Sequence, residues 1–232
     1  MPKKEKVREM FDSIAPSYDR LNHVLSMNVD KLWRRHALKE IVDGTAPRIL
    51  AVACGTGDST ISLAKAAGEG STITGVDISE GMMALVQGKA EKAGVAGRID
   101  LKVADGEALP YGDGAFDRVT CAFGIRNFEH KEKGLAEFLR VLKPGGKAVI
   151  LELSVPQNRV VRWAYDLYFT RLLPRIGGVV SGDKAAYRYL PASVHHFPAP
   201  QAFCRMMETT GFRDVRCRTF TFGLCRMFVG AR

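Results

Sequence analysis

ILAVACGTGD, residues 49–58, is a short apolar run that ends in a glycine turn and leads into a helical pattern. Gly55 and Gly57 let the backbone adopt positive φ and approach a bound molecule closely. The helix that begins near Ser59 directs free N–H groups to the same place. The stretch therefore predicts a strand, a loop and a helix start. It suits a nucleotide site as well as a plain turn between strand and helix.

An acidic residue one strand later favours a nucleoside-type cofactor. ITGVD, residues 73–77, is a second apolar run, and it ends in a carboxylate 20 residues beyond Gly57. Doubly wound sheets present an acid to a ribose at about this spacing. A dinucleotide is disfavoured because position 60, where its fingerprint has a third glycine, holds Thr60.

The same glycine turn resembles the first motif of class I S-adenosylmethionine-dependent methyltransferases, which reads acid-x-Gly-x-Gly-x-Gly. Gly55 and Gly57 match this motif, whereas Ala53 replaces its first glycine and Ala51 stands where the family has Asp or Glu. The resemblance implies S-adenosylmethionine as the cofactor. Ala51 removes a carboxylate that is expected to help hold the methionine end of that cofactor.

Composition and charge describe an ordinary globular chain with basic flanks. The 232 residues are 46% hydrophobic and 25% charged, which suits one α/β domain with additions. The sequence has no run of 18 apolar residues and no signal-peptide core, so we expect a cytoplasmic protein. Residues 41–156 carry thirteen Lys or Arg and fifteen acids, whereas residues 157–232 carry twelve and four. Such a flank suits nucleic acid, anionic lipid or simple solubility.

The cysteines predict neither a zinc site nor a disulfide framework. The chain has 5 cysteines, an odd number, and no C-x-x-C pair. We expect buried, reduced thiols and no bound metal.

Alternating apolar and helical segments predict a parallel sheet with helices on both faces over residues 48–153. Strands are expected near 48–54, 72–77, 99–103, 117–123 and 147–153, with a turn at KPGG, residues 143–146, before the last of them. A helix over 201–209, stopped by Gly211, precedes final strands near 213–220 and 223–229. Residues 5–43 have helical spacing that we expect Pro16 and Asn28 to break.

These segments divide a single domain, residues 1–232, into four parts. They are a helical cap (1–45), a cofactor-binding core (46–156), a substrate- and membrane-facing insertion with a lid (157–200), and a final helix and strand pair (201–232).

Polar side chains follow the third and fourth strands at the edge where ligands bind in such sheets. Asp105 suits a hydrogen bond from an adenine amino group, or else an Asx turn. Arg126 and Asn127 follow a buried strand and are well placed to meet the reacting group. Alternatively, Arg126 pairs only with a local acid such as Glu129.

The segment after residue 156 combines aromatic and basic residues. Residues 159–180 include Trp163, Tyr165 and Tyr168 and four arginines on a helix-length stretch, which suits a membrane interface, an apolar substrate channel or a packed helix with solvated arginines. Residues 187–191 and the proline-broken stretch 195–200 are predicted to form a lid over the pocket.

Taken together, these stretches resemble the ubiquinone/menaquinone biosynthesis C-methyltransferase family nearly end to end. The specific motifs are Phe-Gly-x-Arg-Asn at 123–127 and the pairing of Leu-Pro-Arg-Ile-Gly at 173–177 with Tyr-Arg-Tyr-Leu at 187–190. Further matches cover residues 11–19, 21–22, 53–58 and 104–110. The resemblance implies an α/β, Rossmann-like, seven-stranded sheet with an N-terminal helical cap and a helical insertion before the last strands.

The resemblance also implies functional residues and a reaction. Its cofactor contacts fall on Gly55, Thr56 and Gly57 in the turn, Asp77 at the ribose hydroxyls, Asp105 and Gly106 near the adenine, and Ala122, where the family has a serine. The implied reaction is methylation of a ring carbon on a polyprenyl hydroquinone, with demethylmenaquinol as the favoured acceptor. We expect Arg126 and Asn127 to bind the quinol oxygens and Tyr18 or Asp19 to close the site from the cap. His195 and His196 are alternative bases.

The lipid substrate implies peripheral association with the inner face of the cell membrane, through residues near 159–180. A homodimer is left open, and no nucleic-acid partner is expected because no base-flipping motif is found. The competing interpretations are a benzoquinol methylase of ubiquinone biosynthesis, a methyltransferase for a soluble small molecule, and an inactive cofactor-binding relative that Ala51 and Ala122 make conceivable.

Overall fold

The computed structural model describes residues 4–26, 28–42, 47–168 and 184–232, and only the backbone of 20–25 and 184–188. The chain order is α1 (Lys4–Leu25), α2 (Val29–Ile41), β1 (Arg48–Val52), α3 (Asp58–Ala66), β2 (Thr72–Asp77), α4 (Glu80–Lys92), β3 (Ile99–Val103), β4 (Phe116–Ala122), α5 (Lys131–Val141), β5 (Leu142–Leu153), α6 (Arg159–Leu167), α7 (Lys184–His196), α8 (Pro200–Thr210), β6 (Arg213–Phe220) and β7 (Cys225–Ala231).

These strands form a seven-stranded sheet in the order β3-β2-β1-β4-β5-β7-β6. The first five strands are parallel, and β7 runs antiparallel between β5 and β6. Strand order reverses between β1 and β4, which opens a crevice at the carboxyl ends of those strands. The predicted fold class is confirmed, including the cap and the helices inserted before the last strand pair.

The central strands are apolar because helices cover both faces of the sheet. Leu50 and Val52 pack into one buried cluster with α5 and α8, whereas Ile49 packs into another with α2 and α3. Consecutive residues of β1 thus point to opposite cores. This rigid centre holds the loop after β1 at the crevice.

The KPGG segment is a correction. Residues 143–146 lie within β5 as an irregularity, where the register with β4 shifts between Phe116 and Arg118. Gly145 supplies the expected positive φ, at 78°. The chain nevertheless continues as strand because it keeps pairing with β4 on both sides of the irregularity, so a separate turn there was wrong.

The cap is also more continuous than its sequence indicates. Asn28 ends the first helical piece with φ 61°, as expected, but Pro16 lies inside α1 without breaking it. Contacts on both sides of the proline hold the helix: Asp12 accepts hydrogen bonds from Ser79 and Gly81, and Asp19 pairs with Lys89. These tertiary contacts offset the backbone hydrogen bond that a proline forgoes.

The predicted lid is mostly regular helix, since α7 continues through Pro191 as far as His196. The proline-broken stretch 195–200 does separate two helices, because α7 ends at His196 and α8 begins at Pro200, and the role of the segment as a lid stays a prediction. The Leu-Pro-Arg-Ile-Gly motif at 173–177 lies outside the described residues. Among the described helices, none combines the length and the apolar character that crossing a bilayer requires.

Cys217 is exposed, so the expectation that all the thiols are buried was wrong for that residue.

Candidate active site

The glycine turn after β1 forms the floor of a cavity at the crevice. Gly55 and Gly57 adopt φ of 56° and 87°, and Ala53 adopts the left-handed region at φ 50°. For a residue with a side chain this costs roughly 1–2 kcal/mol. The next loop lies close by, because a Cβ added to Gly124 would be 2.4 Å from the Cβ of Ala53. This approach explains why the Phe-Gly-x-Arg-Asn segment requires glycine at its second position.

Asp77, at the end of β2, is tied to the glycine turn. Its carboxylate accepts hydrogen bonds from the Gly55 N–H at 2.8 Å and the Ser79 N–H at 2.9 Å. Burial raises the pKa of the Asp77 carboxyl, and the two backbone donors oppose that rise. Asp77 and Gly55 both line the cavity, so the carboxylate is available to a ribose hydroxyl.

A charged network closes the same cavity beneath α1. The Thr56 hydroxyl donates to Asp19, and Lys89 of α4 pairs with both Asp19 and Asp58. Burial would lower the pKa of Lys89, but its hydrogen bonds to the two carboxylates raise it. Since two carboxylates share one lysine, this end of the cavity carries a net negative charge that suits a cationic ligand.

Asp105 forms the Asx turn that was one of its two predicted roles, and its contact with an adenine stays a prediction. One carboxylate oxygen accepts from the Glu107 N–H at 2.9 Å, which closes an Asx turn, and the other accepts from Lys4 of α1 at 3.0 Å. Gly106 packs against Phe128, whose ring would lie 2.4 Å from an added Cβ. Asp105 and Gly106 both line the cavity, between Lys4 and the Phe128 ring.

A second, apolar cavity of about 320 Å³ adjoins the first. Its wall is formed mainly by α2, α6, α7 and the loop before β7. Three residues line both cavities: Tyr18, Arg34 and Phe123. Tyr18 of α1 therefore stands between a polar compartment and an apolar one. Two molecules bound in these compartments would meet beside Tyr18.

Arg126 is a buried cation in the wall of the apolar cavity, with 4% of its surface exposed. Its Nη1 donates to Glu152 at 2.8 Å and to the Phe123 carbonyl, and its Nε donates to Ser193 at 3.3 Å. Burial would lower the pKa of this guanidinium, but the Glu152 carboxylate outweighs that effect and raises it. The predicted alternative, a pair with Glu129, was wrong because the partner is Glu152.

Asn127 lines the first, polar cavity and accepts a hydrogen bond from the Tyr189 hydroxyl at 3.0 Å. Sequence reasoning missed both Tyr189 and Glu152 as members of the site. An acid within the apolar run of β5 was the available signal for Glu152, since a buried carboxylate requires a partner. No comparable signal marked Tyr189, which lies in a helix whose sequence mixes apolar and polar residues.

The structure separates some predicted site residues from the cavities. Gly57 is not among the lining residues, and an added Cβ would lie 2.6 Å from Val86, so its role is packing of α3 on α4. His195 lies 3.7 Å from Asp166, and His196 contacts the Ala192 carbonyl. Neither histidine lines the two cavities, and their role as bases stays a prediction. Ala122 does line the cofactor cavity.

Within the described ranges, no group of three or more His, Cys, Asp or Glu side chains is arranged to hold a metal ion. The polar cavity presents the carboxylates of Asp77 and Asp105, which can accept hydrogen bonds from hydroxyl or amino groups, and the acidic Asp19–Lys89–Asp58 network lies at its other end. These groups fit a nucleoside with a cationic end, such as S-adenosylmethionine.

Comparisons with known proteins agree with the fold and the site. An Aquifex aeolicus SAM-dependent methyltransferase superposes with a TM-score of 0.62 at 18% identity, over 85% of this chain and 88% of that one. Curated relatives share far more sequence. "Ubiquinone/menaquinone biosynthesis C-methyltransferase UbiE" of Geobacter sulfurreducens is 48% identical over 99% of this chain and 90% of its own length. "Demethylmenaquinone methyltransferase" of Deinococcus radiodurans is 47% identical over 98% and 93%.

The fold is thus that of the class I methyltransferases. A model of the ubiE/COQ5 methyltransferase family matches residues 1–232, and the chain belongs to that family. The resemblance drawn from the sequence, the enzyme class and the cofactor are confirmed. The individual site residues stay predictions.

Proposed function

We propose that the chain methylates a ring carbon of a polyprenyl quinol, with demethylmenaquinol as the acceptor. The observation that carries this proposal is an apolar cavity that adjoins the cofactor cavity and contains one buried, neutralised cation, Arg126. A hydrophobic ring with two hydroxyl groups fits such a compartment. The printed names of the relatives from Geobacter sulfurreducens and Deinococcus radiodurans support the same acceptor class.

The residues of the chain have two tasks in this reaction. Bound S-adenosylmethionine supplies an electrophilic methyl group. Arg126 and Asn127 bind the quinol oxygens, so that electron density released as a hydroxyl loses its proton reaches the neighbouring carbon. Tyr18 and Asp19 cover the meeting point of the two cavities and exclude water.

The cofactor contacts that we propose are six residues of the polar cavity. They are Gly55, Thr56, Asp77, Asp105, Gly106 and Ala122, all of which line it. Ala122 brings only van der Waals contact where a serine hydroxyl would add a hydrogen bond. Gly57 serves the same ligand indirectly, by letting the turn pack on α4.

Transfer of labelled methyl to demethylmenaquinone in detergent tests the function. We expect transfer when the quinone is chemically reduced and none when it is oxidised, because only the hydroquinone can supply the nucleophilic carbon. A reduced benzoquinone acceptor is the control for the alternative acceptor. Cofactor binding without transfer to either quinol would contradict the proposal and support an inactive relative.

We further propose that the protein docks on the inner face of the cell membrane around the mouth of the apolar cavity. Val160 and Trp163 of α6 are 75% and 68% exposed, and Phe222 before β7 is 80% exposed. Each adjoins a cavity-lining residue in sequence: Val161, Ala164 and Thr221. Two more exposed apolar side chains do the same, Leu32 next to Trp33 and Leu167 next to Tyr168. We call Leu32, Val160, Trp163, Leu167 and Phe222 the apolar collar.

Exposed basic residues accompany the apolar collar and suit anionic headgroups. They are Lys31 and Arg35 on α2 and Arg159 and Arg162 on α6. Residues 169–180, which the sequence also assigned to this surface, lie outside the described residues.

A homodimer stays a prediction, which sedimentation of the purified chain tests.

A double variant, Trp163→Ser with Phe222→Ser, is expected to weaken binding to phosphatidylglycerol vesicles by about tenfold or more. Burial of each large apolar side chain contributes roughly 1.5–3 kcal/mol. The measurement is the vesicle-bound fraction in a flotation assay. Leu85→Ser is the matched control, because Leu85 is an exposed apolar residue on α4, outside the apolar collar. Equal losses in both variants would contradict the assignment of the surface.

A further inference from the structure

Glu152 is a fully buried carboxylate in the middle of the sheet, next to the apolar cavity. It lies on β5 with 0% exposure, although its strand neighbours Leu151 and Leu153 are apolar. Its oxygens accept hydrogen bonds from the Arg126 N–H at 3.1 Å, from Arg126 Nη1 at 2.8 Å and from the Leu153 N–H at 2.8 Å. A buried charge is expensive unless it is paired in this way.

The contacts of Arg126 leave one side of its guanidinium for a ligand. Nε donates to Ser193 and Nη1 donates to Glu152 and the Phe123 carbonyl. Among the described residues, no acceptor lies in hydrogen-bond range of Nη2. Arg126 lines the apolar cavity, where Tyr18 also stands. Within the described part of the chain, Nε and Nη1 are thus held by protein acceptors, and Nη2, which shares an edge with each of them, is the nitrogen left for a ligand.

We propose that Glu152 is the positioning residue for this site: it holds Arg126 with Nη2 toward the acceptor and offsets its charge. The inference rests on the proposed function, in which Arg126 binds a quinol oxygen. Glu152 itself touches no ligand, since it does not line either cavity. Its effect on the reaction passes through the guanidinium.

The charge balance sets how acidic a bound hydroxyl becomes. A lone guanidinium beside a quinol hydroxyl favours loss of the proton, whereas the Arg126–Glu152 pair is neutral and favours it less. Removing the carboxylate charge is therefore expected to lower the pKa of the bound hydroxyl by roughly one unit or more. Other titratable or charged groups face the pair from neighbouring elements and stay in place: Tyr18, Asp30, Arg34, Cys121, Lys131, Tyr165, Tyr189 and Cys225.

The test compares Glu152→Gln with Ser193→Ala in the full-length enzyme. Both remove an interaction with the same guanidinium, but only Glu152→Gln changes the charge. We expect Glu152→Gln to lower kcat about tenfold or more and to move the rising limb of its pH profile to lower pH. Ser193→Ala is expected to leave the midpoint of that limb in place. A pH shift separates this role from a merely structural one, which would lower activity at every pH alike.

A second variant and a second readout cover the case in which Glu152→Gln folds poorly. Glu152→Asp keeps the charge but withdraws it by one methylene, so we expect a lower kcat with an unchanged midpoint. The absorbance of bound 2-naphthol, which differs between naphthol and naphtholate, reports the hydroxyl pKa without turnover. Wild-type kcat and midpoint in both Glu152 variants would overturn the inference. Absence of methyl transfer by the wild type would overturn the proposed function instead, and the naphthol titration would still test Glu152.

Discussion

Arg126→Ala is expected to lower the free energy of unfolding by about 3–5 kcal/mol and to abolish methyl transfer to the quinol. The stability loss arises because Glu152 would remain buried with no cation beside it, and breaking a buried pair from one side costs this much. The activity loss arises because Nη2 is the atom that we propose to bind the acceptor. Urea unfolding and the labelled-methyl assay measure the two effects separately.

Two further variants distinguish the loss of the buried ion pair from the loss of an arginine side chain in general. Arg216→Ala removes a cation that is 62% exposed and paired with Glu40, so we expect a change within about 1 kcal/mol. A double variant, Arg126→Leu with Glu152→Leu, is expected to recover much of the stability, because two apolar side chains replace the pair, but none of the activity. An Arg126→Ala enzyme that methylates at the wild-type rate would refute the assignment of Arg126.

Asp77→Asn is expected to raise the Kd for S-adenosylhomocysteine by about 10- to 100-fold. A hydrogen bond to a charged group is worth roughly 1.5–3 kcal/mol, and the carboxylate is the proposed acceptor for a ribose hydroxyl. The amide also has one oxygen where the carboxylate has two, so the Gly55 or the Ser79 N–H loses its acceptor. Isothermal titration calorimetry measures the change. Asp113→Asn is the control, because that side chain is 75% exposed beside Arg140.

Acid should weaken cofactor binding through the same residue. Burial raises the pKa of Asp77 above its usual 3.8, so its carboxylate gains a proton at a higher pH than an exposed aspartate does. Below that pKa the protonated group accepts hydrogen bonds poorly, and affinity falls as pH falls through it. An affinity that stays constant with pH into the acid range, or equal Kd values for Asp77→Asn and Asp113→Asn, would exclude Asp77 as a ribose acceptor.

The central strands could be predicted from sequence because helices cover both of their faces, so that they read as apolar runs. The positions of Gly55, Asp77 and Arg126 at or just past the carboxyl ends of β1, β2 and β4 likewise predict that the three residues share one edge of the sheet. Asp105 was harder to interpret, since an Asx turn and a ligand contact use the same short carboxylate. The structure gives it the turn through one oxygen and Lys4 through the other.

The remaining features depend on contacts between distant parts of the chain. The sequence contains Glu152 and Arg126, but only the neighbouring strands and the turn after β4 bring the two together. Local propensity assigns a break to Pro16, whereas the contacts of Asp12 and Asp19 with α3, α4 and the turns before them hold α1 together. His195 and His196 were candidate bases by residue type alone, and only the fold shows that neither lines the two cavities.

The position of α1 has a consequence for the order of events in turnover. This helix roofs the polar cavity through Lys4 with Asp105, Asp12 with Ser79, and Asp19 with Thr56 and Lys89. These attachments lie over the cavity, so we expect α1 to detach each time the nucleoside is exchanged. We therefore expect compulsory-order kinetics, in which the methyl donor enters first and the spent nucleoside leaves last. Its departure, rather than carbon–carbon bond formation, would then limit the steady-state rate.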